Sequence, residues 1–351
     1  MKALLLVGGR GTRLRPLTIH TPKSIVPIFN RPFLKYQIEL LKQIPEIDEV
    51  ILSLNYQPRR IEEMFGDGRD LGIKLRYVVE PSPLGTAGAV RYAGESLTGS
   101  VVVFNGDVLT QIDLAAVVAL HQQRQALATI VLTPVENPSA YGLVETDAAG
   151  NVLRFLEKPS PNEITGNTIN AGIYILEPST FDRIPKDVAW SIERSFFPSL
   201  IERGETFVSY VSKGYWIDIG TPEKYIQAHR DIMNGDYVAP PFGATRRTTT
   251  VVESGARVES GVELLGPLYV DDGAVIKAGA RIGPYSVIGR QCQIGEGAVI
   301  EGSILWPNTR IEQNASVRES VLGRACYVGH DAALEGCILG DKSAITEFSR
   351  L

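Results

Sequence analysis

In the C-terminal part of the chain, apolar residues recur at every sixth position: Val252, Val258, Leu264, Val270, Ile276, Ile282, Ile288, Ile294 and Ile300. Small residues follow many of them four places later, at Ala256, Ala274, Ala280, Ser286, Cys292 and Ala298. This period predicts a β-solenoid, in which each hexad forms one flat face and three faces close a coil of about 18 residues. Leu305, Leu322 and Leu339 then stand 17 apart, each preceded by Ile or Val. One face of each later coil is therefore shortened by a residue.

The N-terminal part has a different rhythm. Continuous apolar runs at 2–7, 49–54, 74–79 and 101–104 alternate with helical patterns over 32–44 (Phe33, Tyr36, Ile38, Leu41) and 86–95. That alternation predicts a parallel, doubly wound sheet, which binds ligands at the carboxyl ends of its strands. Shorter strands are expected at 128–135, 142–145, 152–157, 169–176 and 207–211, and a helix over 222–234 closes the domain. Pro240-Pro-Phe-Gly-Ala244 reads as a linker. The expected organisation is a first domain at 1–236, a linker at 237–250 and the solenoid at 251–351.

The 351 residues, 44% of them hydrophobic and 21% charged, fit a soluble globular protein. A net charge of −5 argues against nucleic-acid binding by bulk attraction. The three cysteines, Cys292, Cys326 and Cys337, form neither a zinc pattern nor a disulfide framework, which points to a reducing, cytoplasmic setting. Cys292 falls at a small inward position of the hexad and reads as a packing residue. The apolar run before Gly8 is too short for a signal peptide or a membrane span, and no membrane partner is expected.

Against that acidic background, residues 8–18 read Gly-Gly-Arg-Gly-Thr-Arg-Leu-Arg-Pro-Leu-Thr, directly after the first strand, with Pro22-Lys23 beyond. Gly8, Gly9 and Gly11 let backbone N–H groups approach a phosphate chain closely. Arg13 and Lys23 add charge aimed at a small anion, while Arg15 either joins them or anchors the loop. The loop is neither Gly-x-Gly-x-x-Gly nor a P-loop. Asp107 and Asp218 are isolated carboxylates at the ends of apolar runs. A bound Mg²⁺ would offset the cost of burying them.

The segment 8–23 resembles the signature of sugar-1-phosphate nucleotidyltransferases. Five further segments repeat the resemblance in family order: Glu80-Pro-Ser-Pro-Leu-Gly-Thr-Ala-Gly88, Asn105-Gly-Asp107, Glu157-Lys-Pro159, Asn170-Ala-Gly172 and Trp216-Ile-Asp218-Ile-Gly220. The branch most similar is that acting on mannose 1-phosphate and GTP. The resemblance implies an α/β Rossmann-like nucleotidyltransferase domain with a mixed, mainly parallel sheet, followed by a left-handed parallel β-helix. It also implies in-line attack of a sugar-1-phosphate oxygen on the α-phosphate of a nucleoside triphosphate, releasing pyrophosphate. Arg13, Lys23 and Asp107 would be catalytic. Gly8, Gly9, Gly11, Thr12, Glu80, Gly85 and Thr86 would bind the nucleotide. Gly142, Glu157, Lys158 and Asn170 would bind the sugar phosphate, and Asp107 and Asp218 would hold Mg²⁺. Two departures from the family pattern, Ser24 and Gly106, remove no charged group.

In this family the segment beginning at Glu80 meets the base. Guanine offers two adjacent donors, N1–H and the 2-amino group, and a carboxylate accepts both. Uracil and thymine would turn carbonyls toward the negative charge. Glu80 therefore favours GTP over a uridylyl- or thymidylyltransferase acting on glucose 1-phosphate. A non-catalytic nucleotide-sugar sensor is disfavoured because Arg13, Lys23, Asp107 and Asp218 all remain. Acyl transfer by the β-helix would rest on His330 alone, which reads as a surface-coil residue. The β-helix is expected to mediate homo-oligomerisation.

Overall fold

The four apolar runs of the N-terminal part form adjacent strands of one nine-stranded sheet, in a computed structural model that describes residues 1–243 and 249–351. Of the expected linker, residues 244–248 lie outside the described residues. The strand order is Val152–Glu157, Gly142–Thr146, Thr168–Leu176, Val101–Asn105, Lys2–Leu6, Glu49–Leu54, Lys74–Val79. Lys2–Leu6 pairs in parallel with both Glu49–Leu54 and Val101–Asn105. Thr168–Leu176 runs antiparallel to Val101–Asn105 and also pairs with Ala128–Pro134, which in turn carries Phe207–Val211. The sheet is mixed, as expected. Its central strands are apolar at 3–5, 50–52 and 101–104 because both faces are covered there. Leu4, Ile51, Val101, Val103 and Ile130 are fully buried with Val90 of helix Gly85–Ala93 and Phe196 and Phe197.

Two compact units are formed. One comprises Met1–Gly9 and Leu34–Asp218, the other Arg10–Phe33 and Ile219–Leu351. The second unit is built on the β-helix. Its strands stack in parallel in three sheets of six, six and five, consistent with the expected left-handed coil. In the first sheet Val270 lies opposite Ile288, 18 residues on, while Ile288, Leu305, Leu322 and Leu339 succeed one another at 17. The missing residue is at the corner preceding that face, where Gly302, Glu319 and Gly336 have positive φ. The hexad apolar positions Ile276, Ile282, Ile288, Ile294 and Ile300 form the core with Ala274, Ala280 and Cys292. Burial pushes the Cys292 thiol up to about 12, which suits packing rather than reactivity.

Helix Pro222–Asn234 and residues 27–29 join this unit through a buried aromatic cluster. Phe29 packs edge-on against His229 and Tyr269, and also contacts Phe242 within the segment expected as linker. The Phe29 N–H donates to His229 Nε2 at 3.1 Å, so Nδ1 carries the proton and donates to the Tyr225 carbonyl at 2.9 Å. Burial holds the His229 imidazole down to about 4, from 6.5. Below pH 6.5 the unfolded chain takes up a proton that the folded chain refuses, so this contribution to stability is lost as pH falls. We expect the second unit to lose roughly 1.4 kcal/mol per pH unit between about pH 6.5 and 4 from this residue. Denaturant titrations of wild type and His229→Gln across that range should show a shallower pH slope in the variant.

Candidate active site

Four adjacent parallel strands end on one rim. Gly8 follows Lys2–Leu6, Asn55 follows Glu49–Leu54, Glu80 follows Lys74–Val79 and Asp107 lies beyond Val101–Asn105. A methyl on Gly8 would stand 3.2 Å from the Asn55 backbone nitrogen and 3.3 Å from Glu80 Oε1. A methyl on Gly106 would approach the Leu6 carbonyl oxygen to 2.5 Å, so this backbone requires glycine there. Gly9 is exposed, and no atom lies within 4 Å of where its Cβ would be.

Glu80 is 8% exposed. Its Oε1 accepts from the Ser53 hydroxyl at 3.0 Å and its Oε2 from the Leu84 N–H at 3.1 Å. The carboxylate therefore braces the turn that launches helix Gly85–Ala93. Each oxygen retains acceptor capacity for a further donor. Gly85 has φ +68, and a methyl there would be 2.7 Å from the Trp190 carbonyl. The Thr86 hydroxyl donates to Glu193 Oε2 at 3.0 Å and accepts from the Ile192 N–H at 2.8 Å. It thus ties the helix to residues 190–193 and orients Glu193.

Short antiparallel strands bring the two expected metal ligands together. Val108–Thr110 pairs with Trp216–Asp218, with Val108 directly opposite Asp218, so Asp107 adjoins that pair. Asp218 is 8% exposed and accepts from the Tyr141 hydroxyl at 3.1 Å. Gln37, only 2% exposed, donates through Nε2 to the carbonyls of Asn105 and Val108, both at 2.9 Å. It clamps both ends of the turn that carries Asp107. Among the described residues no group of three His, Cys, Asp or Glu side chains is poised for a metal. Two hard carboxylate oxygens and no third protein ligand fit a divalent cation that also takes phosphate oxygens.

The expected sugar-side residues also converge. Gly142 lies opposite Glu157, and a methyl on Gly142 would be 2.6 Å from Phe155 Cζ and 3.2 Å from Glu157 Oε2. Burial and the nearby Glu193 carboxylate raise the Glu157 carboxyl, against the pull of Lys158 and Arg194. Lys158 has φ +53, and its N–H donates to the Tyr141 carbonyl at 2.9 Å. Asn170 donates through Nδ2 to the Tyr174 hydroxyl at 2.9 Å and accepts the Gly172 N–H at 2.9 Å, so its amide braces the register shift within the strand Thr168–Leu176. Tyr174 is fully buried, and its phenol is held well above the usual range by burial and by Glu193. Tyr141, Tyr174, Glu193 and Gln37 escape sequence reasoning. Tyr141 adjoins a motif glycine, but the others carry no local signal.

In the second unit, Gly11 has φ +60 and caps a short turn, Thr12–Leu14. A methyl there would be 2.9 Å from Lys23 Cβ, and the Thr18 hydroxyl donates to the Gly11 carbonyl at 2.7 Å. Thr12, Arg13 and Arg15 are exposed and Lys23 is half-buried. Gly11→Ala is expected to cost about 1–2 kcal/mol from the left-handed backbone alone. Gly9→Ala should leave the melting temperature unchanged, because no protein atom lies within 4 Å of the added methyl. Thermal melts of both variants check the contrast.

A family model described as Nucleotidyl transferase matches residues 2–235, and one described as GMPPB C-terminal domain matches residues 264–349. A mannose-1-phosphate guanylyltransferase of Mycobacterium tuberculosis is 37% identical over 314 residues, covering 88% of this chain and 81% of that protein. A UTP–glucose-1-phosphate uridylyltransferase of Synechocystis sp. is 33% identical over 332 residues, covering 90% and 85%. Among solved structures, HddC from Yersinia pseudotuberculosis matches with a TM-score of 0.57 and 29% identity, over 66% of this chain and 99% of that one.

Proposed function

Because this chain belongs to the nucleotidyl transferase family, we propose that its site transfers GMP from GTP to mannose 1-phosphate, giving GDP-mannose and pyrophosphate. The observation that supports the chemistry is the strand register that pairs Val108, the residue after Asp107, with Asp218. Asp107 and Asp218 would hold Mg²⁺. Enzymes of this family generally use a divalent metal, which supplies charge neutralisation at the phosphates. The backbone of Gly8, Gly9, Gly11 and Thr12 donates to the phosphate chain. Arg13 and Lys23 stabilise the charge that develops on departing pyrophosphate, Arg by bidentate contact and Lys as a point charge. Lys158 binds the sugar phosphate and the Glu157 carboxylate accepts from sugar hydroxyls. Asn170 would complete the sugar-phosphate pocket and Thr86 the nucleotide pocket, each oriented by hydrogen bonds within the protein. No step needs a covalent nucleophile.

Guanine selectivity rests on Glu80. Its oxygens, held by Ser53 and Leu84, can accept N1–H and the 2-amino group. The uridylyltransferase among the relatives makes UTP with glucose 1-phosphate the competing pair, and a buried carboxylate disfavours its base. Among the described residues no helix is long and apolar enough to cross a membrane. The β-helix, with Phe348 and Leu351 exposed on its last coil, is the expected surface for self-association, and three free cysteines suit a reducing cytoplasm. Pyrophosphate release measured with Mg²⁺ over a matrix of nucleoside triphosphates and sugar 1-phosphates tests the reading. The regulatory-subunit alternative predicts binding without turnover for every pair.

A further inference from the structure

One column of the β-helix runs through Asp271, Gly289, Trp306, Gly323 and Gly340, each following the apolar strand residue of its coil. The glycines in it have different reasons. A methyl on Gly289 would be 2.5 Å from the Leu305 carbonyl of the next coil. On Gly323 it would be 2.7 Å from the Asp341 nitrogen, again the next coil. Gly340 follows the last strand of this sheet, Ile338–Leu339. The three nearest atoms to its Cβ position all belong to Pro16 of the signature loop, at 3.2, 3.2 and 3.7 Å. The close neighbour of this column position is therefore the loop rather than another coil.

The neighbouring residues agree. Thr21, 1% exposed, directs its hydroxyl to Asp341 Oδ2 at 3.4 Å, a long and weak bond. Asp341 is itself fixed by accepting the Arg324 N–H at 2.8 Å. Farther along the segment, Trp306 of the same column donates through Nε1 to the Tyr225 hydroxyl at 2.9 Å, and that hydroxyl donates to the Pro27 carbonyl. The β-helix column thus grips the segment Arg10–Phe33 at both ends, around Pro16–Thr21 and at Pro27.

We propose that the β-helix is a working part of the nucleotide site: its column Trp306–Gly340 holds the signature loop in place, with Gly340 and Asp341 as positioning residues. The proposal rests on the assignment of that loop to the nucleoside triphosphate. It extends the role of the β-helix beyond self-association.

A graded wedge tests it in the full-length protein. Gly340→Ala needs Pro16 to yield by only a few tenths of an ångström and should change little. Gly340→Val should displace the loop, raising the KM for GTP about ten-fold or more while leaving the KM for mannose 1-phosphate unchanged. Hydrogen exchange over residues 10–25 should accelerate in that variant, while residues 286–305 of the β-helix keep wild-type protection. Thr21→Val, which alters only the loop side, should accelerate the same peptide to a smaller degree and carries the test if Gly340→Val fails to fold. Unchanged exchange over 10–25 would overturn the docking role. Faster exchange with an unchanged KM for GTP would overturn the assignment of the loop to the nucleotide and leave the docking standing. Equal rises in both KM values would overturn a role specific to the nucleotide.

Discussion

Asp107→Ala should reduce kcat/KM by about 10³-fold or more, with the melting temperature within a few degrees of wild type. Asp107 sits in a turn whose geometry is set by others. Gln37 holds the carbonyls on either side of it, and Gly106 is pinned beneath the Leu6 carbonyl. Removing the carboxylate therefore leaves the fold but deletes one of the two proposed ligands for the divalent cation. The loss of charge neutralisation at the phosphates has the scale of a deleted transition-state donor or greater. Asp218→Ala should behave similarly, with an added loss of order because Tyr141 bonds to that carboxylate. The check is a magnesium titration of initial rates: half-saturation should move to much higher concentration in Asp107→Asn. An Asp107→Ala enzyme with wild-type turnover would remove this residue from the chemistry.

The second large effect is on base choice. Glu80→Gln should lower kcat/KM for GTP by about 10²- to 10⁴-fold while changing that for UTP far less. The variant can keep its structural contacts, because the amide oxygen still accepts the Leu84 N–H and the amide nitrogen can donate to the Ser53 hydroxyl. It cannot accept both guanine donors. Stability should accordingly change by about 1 kcal/mol or less. If the ratio of GTP to UTP turnover stays at the wild-type value, Glu80 is only the brace of its turn and the guanine argument falls.

The parts of the fold legible in sequence are those whose physics is local. The runs at 50–52 and 101–104 are apolar because their strands are covered on both faces, and the hexad period from Val252 follows from coil geometry. Even the shortened face from Leu305 onward is visible as a change of period. Helices Pro58–Phe65 and Leu114–Gln123 and the three-residue strands at Val108 and Trp216 are not anticipated. Three residues are too few for a period to show, yet that strand pair is what brings Asp107 beside Asp218.

Motif residues are legible as types but not in their orientation. Thr86 and Asn170 stand in ligand-binding motifs, but their polar atoms serve Glu193, Ile192, Tyr174 and Gly172. Gln37 and Glu193 are ordinary polar positions within helical segments until tertiary contacts reveal them. The signature loop is read from sequence as part of the first domain. From Arg10 onward it shares a compact unit with Gly340, which lies against Pro16 although more than 300 residues away in the chain.

The measurement that tests the central claim most directly is pyrophosphate release by the wild-type protein with Mg²⁺. It should be run over GTP, ATP, UTP, CTP and dTTP, each with mannose 1-phosphate and with glucose 1-phosphate. Turnover should be concentrated on GTP with mannose 1-phosphate, at least about 10²-fold above any pyrimidine nucleotide. Fastest turnover with UTP or dTTP and glucose 1-phosphate would contradict it.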